Sequence, residues 1–421
     1  MNTTAVRMYG KTDLRLERFE LPALGDNEIL AHIVSDSLCM SSYKAAVQGS
    51  DHKRVPADIA QRPVMVGHEF CGEIVQVGAK WQHAFQPGQR FVVQPALNYR
   101  GSLDAPGYSY RYIGGDATYI VIPNEVMEMD CLLPYQGDAY YFGSLTEPVS
   151  CIVGAFRASY HVQQGSYDHR MGIVDGGSMA ILAGAGPMGL GAIDLALGGE
   201  RRPARLVVTD IDDDRLARAE SLFPPAEAAA KGIDLSFVNT AKTDDAVADL
   251  RKLSGGSGFD DVLVMAPVRA VIEQADRLLA KGGCLNFFAG PTDPEFRAEL
   301  NFYNVHYAGH HIVGTSGGNT EDMRIAVEMM SSGRLDPSMM ITHVGGLDAV
   351  VPTTLNLPKI PGGKKLMYTN VSLPLTAIAD FAQLGADDPF FAKLAELVAV
   401  TDGIWNAQAE AYLLEHAQPI G

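Results

Sequence analysis

The chain reads as an α/β protein: a β-rich first domain, then a doubly wound parallel sheet, then a helical C-terminal extension. Three observations predict this. Its 421 residues are long for one hydrophobic core, so two domains are expected. Short β-favouring runs bounded by Gly, Pro, Asn or Asp fill roughly the first 150 residues. From residue 178 onward, strand-like runs alternate with helical ones, which predicts right-handed β-α-β crossovers and a parallel sheet covered on both faces.

In order, strands are expected at 5–9, 28–36, 72–77, 89–94 and 117–122. After Gly143 the pattern changes, and residues 147–161 predict a helix. Strands follow at 179–183, 205–210, 235–239, 261–265, 284–288 and 311–315, with helices at 188–197, 213–222, 244–253 and 269–279. A helix at 321–331 and a strand at 365–369 come next. Residues 377–416 are Ala- and Leu-rich with helical periodicity, and read as a packing or oligomer-stabilising appendage.

Composition is ordinary for a globular chain, 47% hydrophobic and 20% charged. A net charge of −17 argues against nucleic acid or an anionic membrane as the main partner, while leaving room for a small anionic substrate in a local cationic pocket. Five scattered cysteines, at 39, 71, 131, 151 and 284, do not form a disulfide framework; they fit a reducing compartment in which one or two thiolates bind metal. The first ten residues lack a signal-peptide pattern. The apolar stretch 179–198 is interrupted by Asp194 and carries a phosphate-loop glycine pattern, so no membrane span is expected. The expectation is a cytoplasmic protein.

Two motif clusters carry chemistry. Gly184-Ala185-Gly186-Pro187-Met188-Gly189 directly follows an apolar strand and opens an apolar helix. In that context the first glycine permits the tight turn, the second lets backbone approach a pyrophosphate, and the third allows helix and strand to pack closely. Amides at the helix N-terminus then face the anion. Asp210 ends the next strand, 21 residues past Gly189, where a carboxylate accepts ribose hydroxyls and repels a 2′-phosphate. NAD is therefore favoured, with NADP left open by Arg215 and Arg218, which could meet a phosphate.

The second cluster is Gly67-His68-Glu69, with Cys39 upstream and Glu147 downstream. Singly, Cys39 reads as a small buried hydrophobe, His68 as a core histidine, Glu69 as a surface carboxylate and Glu147 as a helix N-terminal charge. Together they offer a thiolate, an imidazole and two carboxylates, the mixed set of a catalytic zinc with an open position. Strand alternation would keep the adjacent His68 and Glu69 from facing one metal, unless the chain bends at Gly67.

On these residues the chain resembles the zinc-dependent medium-chain dehydrogenases, and within them the sorbitol and polyol dehydrogenases, over roughly residues 5–370. Gly67 to Gly78 fits that family's Gly-His-Glu-x-x-Gly zinc signature, Cys39 with Ser41 looks like its first ligand and relay hydroxyl, and Thr146-Glu147-Pro148 resembles its Glu-Pro segment. With its long tail, the chain looks more narrowly like the bacterial L-sorbose 1-phosphate reductases. The resemblance implies a GroES-like catalytic domain (1–155), a Rossmann domain (156–315), a return segment to the catalytic domain (316–375) and the extension (376–421). It also implies one catalytic zinc held by Cys39, His68 and Glu69 or Glu147. Departures are present: the stretch 94–118 has none of the family's four structural-zinc cysteines, so no structural zinc is expected, and Ser42 replaces the usual acidic residue. A polar loop, 48–61, lengthens the gap between Cys39 and His68.

The implied reaction is zinc-assisted hydride transfer between NAD(P)H and a ketose phosphate, L-sorbose 1-phosphate giving D-glucitol 6-phosphate, with the proton passing through Ser41 and Lys44 as the distal relay group. Candidate phosphate cations are Lys44, Lys53, Arg54 and Arg111, and Lys364 with Lys365 could reach the cofactor pyrophosphate. An unphosphorylated polyol or secondary alcohol is the alternative substrate. A zinc-free quinone or enone reductase and a non-catalytic dinucleotide-binding protein are the alternative classes. Runs 284–288 and 311–315 are apolar enough to extend a sheet across a homo-oligomer interface, in a dimer or tetramer.

Overall fold

The alternating second half of the chain folds, in the computed structural model, into a six-stranded parallel sheet. Residues 1–163 and 165–421 are described. The strands are Ser178–Leu182, Arg205–Asp210, Asp234–Asn239, Phe259–Val264, Leu279–Phe287 and His311–Gly314. Counted along the chain, they lie side by side in the order third, second, first, fourth, fifth, sixth. Helices cover both faces, which explains the near-continuous apolar runs: Ala180, Leu182, Val207, Val262, Val264 and Leu285 share one core. The order reverses beside Ser178–Leu182, and ligands of open α/β sheets bind at such a switch point, outside the strands' carboxyl ends.

The chain divides into two units. One comprises Met1–Pro148, Asn319–Ser331 and Pro337–Gly421; the other comprises Val149–Gly318 and Ser332–Asp336, and holds the parallel sheet. In the first unit, strand Ile29–Leu38 is central. It pairs antiparallel with Phe70–Val77, Tyr119–Ile122 and Lys364–Tyr368, with Lys365 opposite Leu38. That pairing carries a segment more than 300 residues away in sequence to the end of the strand that precedes Cys39. Asn2–Gly10 pairs with Asp13–Glu20 and Val64–Met65 in a separate three-stranded sheet. Asp13–Glu20 was not expected from sequence; its charged Asp13, Arg15 and Glu17 alternate with Leu14 and Leu16 as befits a half-solvated edge strand.

The helix expected at 147–161 runs instead from Tyr140 to Ala158. Its start is extended by a distant group: the Glu410 carboxylate accepts the N–H groups of Tyr140 at 2.6 Å and Tyr141 at 2.8 Å, which would otherwise be orphaned at a buried helix end. Glu410 lies on the last of three C-terminal helices, Phe381–Leu384, Pro389–Ala399 and Ala407–His416. Phe381, Leu394, Trp405 and Leu413 pack with Leu145 and Tyr368 in one core, so the extension packs against its own unit. No helix among the described residues is long and apolar enough to cross a membrane.

Candidate active site

Cys39 directly follows strand Ile29–Leu38 and caps the helix Met40–Gln48. Gly67 has φ +90°, and a Cβ there would meet the Asp116 amide nitrogen at 2.5 Å, so only glycine makes this turn. The turn keeps His68 and Glu69 out of a regular strand, which begins only at Phe70. Sulfur, imidazole nitrogen and carboxylate oxygen of Cys39, His68 and Glu69 accordingly lie within 4.8 Å of one another. Both His68 and Glu69 are buried. Glu147, also buried, stands outside this trio, but its charge is felt by Cys39, Tyr108 and Lys364.

The surroundings suit a divalent cation. Burial pushes the His68 imidazole down to about 4, so it is neutral with a lone pair to give. Its Nδ1 lies 3.3 Å from the Ser42 hydroxyl, which can accept an Nδ1–H and leave Nε2 as the ligating atom. Ser42 is thus a hydroxyl partner for His68. Burial, with the charges of Glu69 and Glu147 adding and Lys364 opposing, pushes the Cys39 thiol up to about 12. A thiol so placed keeps its proton until a cation displaces it. One thiol, one neutral imidazole and neighbouring carboxylates form a donor set that fits zinc.

Glu69 is held on several sides. Lys364 Nζ donates to its two oxygens at 2.6 Å and 2.5 Å, the Ser37 hydroxyl donates to Oε2, and Asp36 accepts its backbone N–H at 3.0 Å. Burial disfavours the Lys364 ammonium, but Glu69, Cys39 and Glu147 outweigh it and hold the lysine above its ordinary pKa. The expectation that Lys364 and Lys365 reach a cofactor pyrophosphate is therefore corrected. Lys364 is committed to Glu69, and Lys365 Nζ donates to the carbonyls of Pro361 at 2.9 Å and Gly363 at 2.7 Å.

Ser41 Oγ donates to Cys39 Sγ at 3.0 Å and accepts the Tyr108 hydroxyl at 2.8 Å. The Tyr108 oxygen is also 3.1 Å from His68 Nε2. Sequence reasoning missed Tyr108, although the run Tyr108-Ser-Tyr-Arg-Tyr112 in the cysteine-free stretch was a usable signal. Burial pushes its phenol well above the ordinary value, so it remains a donor. Lys44 is half-buried; burial lowers its pKa while the Cys39 charge raises it. Arg111 lies over the Tyr112 ring, 5.3 Å from its centroid.

In the second unit, the glycines meet the demands read from the sequence. A Cβ on Gly189 would stand 2.0 Å from the Gly184 carbonyl, and one on Gly184 would stand 2.6 Å from Ile181, so strand and helix meet closely. A Cβ on Gly186 would meet nothing within 4 Å, which leaves open space in front of the helix Pro187–Gly198 with Pro187 and Met188 in its first turn. Asp210 accepts the N–H groups of Ala185 at 3.2 Å and Ile211 at 2.8 Å, tying its carboxylate to the glycine turn. Arg215 is exposed and lies 3.8 Å from Asp212, which caps its helix. This open turn and fixed carboxylate fit a dinucleotide.

Such a pairing of folds defines a class. Residues 25–130 match the alcohol dehydrogenase GroES-like domain and residues 187–332 match the zinc-binding dehydrogenase domain. The chain belongs to the zinc-binding, medium-chain alcohol dehydrogenase family, with a GroES-like domain and a Rossmann sheet. It is 53% identical to L-sorbose 1-phosphate reductase of Klebsiella pneumoniae, over 99% of this chain and 98% of that one. It is likewise 53% identical to mannitol-1-phosphate 5-dehydrogenase of Aliivibrio fischeri, over 98% of this chain and 97% of that one. The fold matches 2R,3R-butanediol dehydrogenase of Bacillus subtilis with a TM-score of 0.71 at 22% identity, covering 87% of this chain and all of that one.

Proposed function

We propose that the chain is a zinc-dependent reductase that interconverts a ketose phosphate and a polyol phosphate with NAD(H), L-sorbose 1-phosphate and D-glucitol 6-phosphate being the favoured pair. The observation that carries this reading is the Cys39, His68 and Glu69 trio, within 4.8 Å, in a chain 53% identical to a sorbose-phosphate reductase along nearly its whole length. The balanced reaction is ketose phosphate + NADH + H⁺ → polyol phosphate + NAD⁺.

Cys39, His68 and a carboxylate of Glu69 or Glu147 would hold the zinc. The chemistry supplied when both groups are bound is carbonyl polarisation from zinc and hydride from the nicotinamide. The protein's own residues arrange the rest. Ser37 and Lys364 fix the Glu69 carboxylate, and Ser42 orients His68. As the substrate oxygen gains charge it takes the Ser41 proton, which Tyr108, 2.8 Å behind, is placed to replace. Lys44, on the same helix as Ser41, would be the distal relay group. Asp210 favours ribose hydroxyls over a 2′-phosphate, which supports NAD. We also infer a homo-oligomer, dimer or tetramer, because the edge strand His311–Gly314 presents an unpaired side with Ile312 exposed.

The test is steady-state kcat/KM with L-sorbose 1-phosphate, D-mannitol 1-phosphate and free L-sorbose, each with the matching form of NAD and NADP. The reading expects the phosphorylated sugars and the NAD couple to win. Equal or better turnover of the free sugar would sink the sugar-phosphate assignment.

A further inference from the structure

The polar loop between Cys39 and His68 carries a cluster the mechanism has not used. His52, Lys53 and Arg54 follow the helix that bears Ser41 and Lys44. The His52 ring stacks on Tyr108 with centroids 5.7 Å apart and planes 11° apart, and the Arg54 guanidinium lies 5.8 Å from the same ring's centroid. The His68 ring is 4.8 Å from Tyr108, whose hydroxyl reaches Ser41 and His68. One aromatic ring therefore joins the loop to the reacting end of the candidate active site.

The loop's charge is unbalanced. Its two carboxylates are taken elsewhere, Asp51 by Lys11 at 2.5 Å and Asp58 by Arg62 at 3.3 Å. Neither Lys53 nor Arg54 forms an ion pair among the described residues, in a chain with 50 acidic and 33 basic residues. Arg54 gives one N–H to the Leu103 carbonyl at 3.3 Å, which fixes its direction and leaves its other donors over. His52 Nδ1 accepts the Arg54 backbone N–H at 3.3 Å, so its Nε2–H is a further donor. Burial first, then the charges of Arg54, Lys53 and Lys44, pushes His52 down to about 4, which keeps its ring neutral. Two such cations, Lys53 and Arg54, beside a carbonyl-reducing site answer the demand of a dianion attached near the reacting carbon.

We propose that His52, Lys53 and Arg54 form the subsite that holds the phosphate monoester of the substrate, and that Tyr108 sets its distance from the reacting carbonyl. The inference rests on the sugar-phosphate reading above and deepens it by naming the residues that select the phosphate. A ketose bearing phosphate on the carbon next to its carbonyl places both groups within one short span, as Tyr108 links both parts of the site.

The test compares Arg54→Gln and the double variant Lys53→Gln/Arg54→Gln with the unaltered enzyme. The readout is the ratio of kcat/KM for L-sorbose 1-phosphate to that for free L-sorbose, in one preparation. Loss of one bidentate cation should lower the ratio on the order of 50-fold, and loss of both on the order of 10³-fold. Inorganic phosphate should inhibit the unaltered enzyme competitively against the ketose phosphate but not against NADH, and both variants should lose that inhibition. This second measurement separates a substrate phosphate from a cofactor phosphate. A phosphate preference kept by both variants, or phosphate competing with NADH, overturns the subsite. An unaltered enzyme with no preference for the phosphorylated ketose overturns the sugar-phosphate reading itself, and the subsite with it.

Discussion

Glu410 offers a sharp perturbation, because a buried carboxylate from the C-terminal extension caps the helix that carries Glu147. It accepts the Tyr140 and Tyr141 amides and the Tyr368 hydroxyl at 2.8 Å, while Trp405 Nε1 donates to the Tyr368 oxygen. Burial raises its pKa from 4.5 to about 7, with those hydrogen bonds opposing the rise. The folded state therefore binds this proton more tightly than the unfolded chain. Its contribution is fully present below pH 4.5 and is lost as pH rises through about 7. A shift of that size corresponds to about 3 kcal/mol. Glu410→Gln should remove this pH dependence, and Glu410→Ala, which strands two amides and a hydroxyl, should cost about 3 to 5 kcal/mol. Urea unfolding followed by Trp405 fluorescence, in a Trp81→Phe background, isolates the extension's surroundings, and should be run from about pH 5 to about pH 8. If Glu410→Gln keeps the parent's pH slope, or Glu410→Ala keeps its midpoint, the capping argument is wrong.

Lys364→Met should destabilise the first unit by about 3 to 5 kcal/mol, because it leaves the buried Glu69 carboxylate without its counter-charge; thermal melting at neutral pH checks this, and an unchanged Tm refutes it. Tyr108→Phe should lower kcat about tenfold or more with metal content unchanged, since the ring stays and only the hydroxyl chain is cut. Gly186→Val should weaken NADH binding about tenfold or more without unfolding, its side chain entering the open space before the helix. Gly189→Ala should instead destabilise the Rossmann unit by about 1 to 3 kcal/mol, its Cβ falling 2.0 Å from the Gly184 carbonyl; fluorescence titration alongside melting separates the two.

Local patterns were legible in the sequence and distant pairings were not. The parallel sheet was readable because each strand is an apolar run followed by a periodic helix, and the glycine turn because its spacing sits on a strand-to-helix junction. Cys39, His68 and Glu69 were readable as residue types that zinc needs, and the bend at Gly67 that unites them was anticipated from the glycine alone. Lys364 was seen but sent to the wrong partner, since only the pairing of Lys365 with Leu38 reveals that it meets Glu69, 295 residues away. Glu410 escaped for the same reason, and Tyr108 despite the local signal of its aromatic run. The start of helix Tyr140–Ala158 was placed too late because its cap comes from 270 residues further on, and no local signal in 140–146 announces it.

Zinc content, measured by elemental analysis on the sample assayed for NADH oxidation with L-sorbose 1-phosphate, tests the central claim most directly. The account predicts about one zinc per chain, chelator-sensitive turnover, and loss of both metal and activity in Cys39→Ser and His68→Ala. Full turnover in a metal-free preparation, or in either variant, would contradict it.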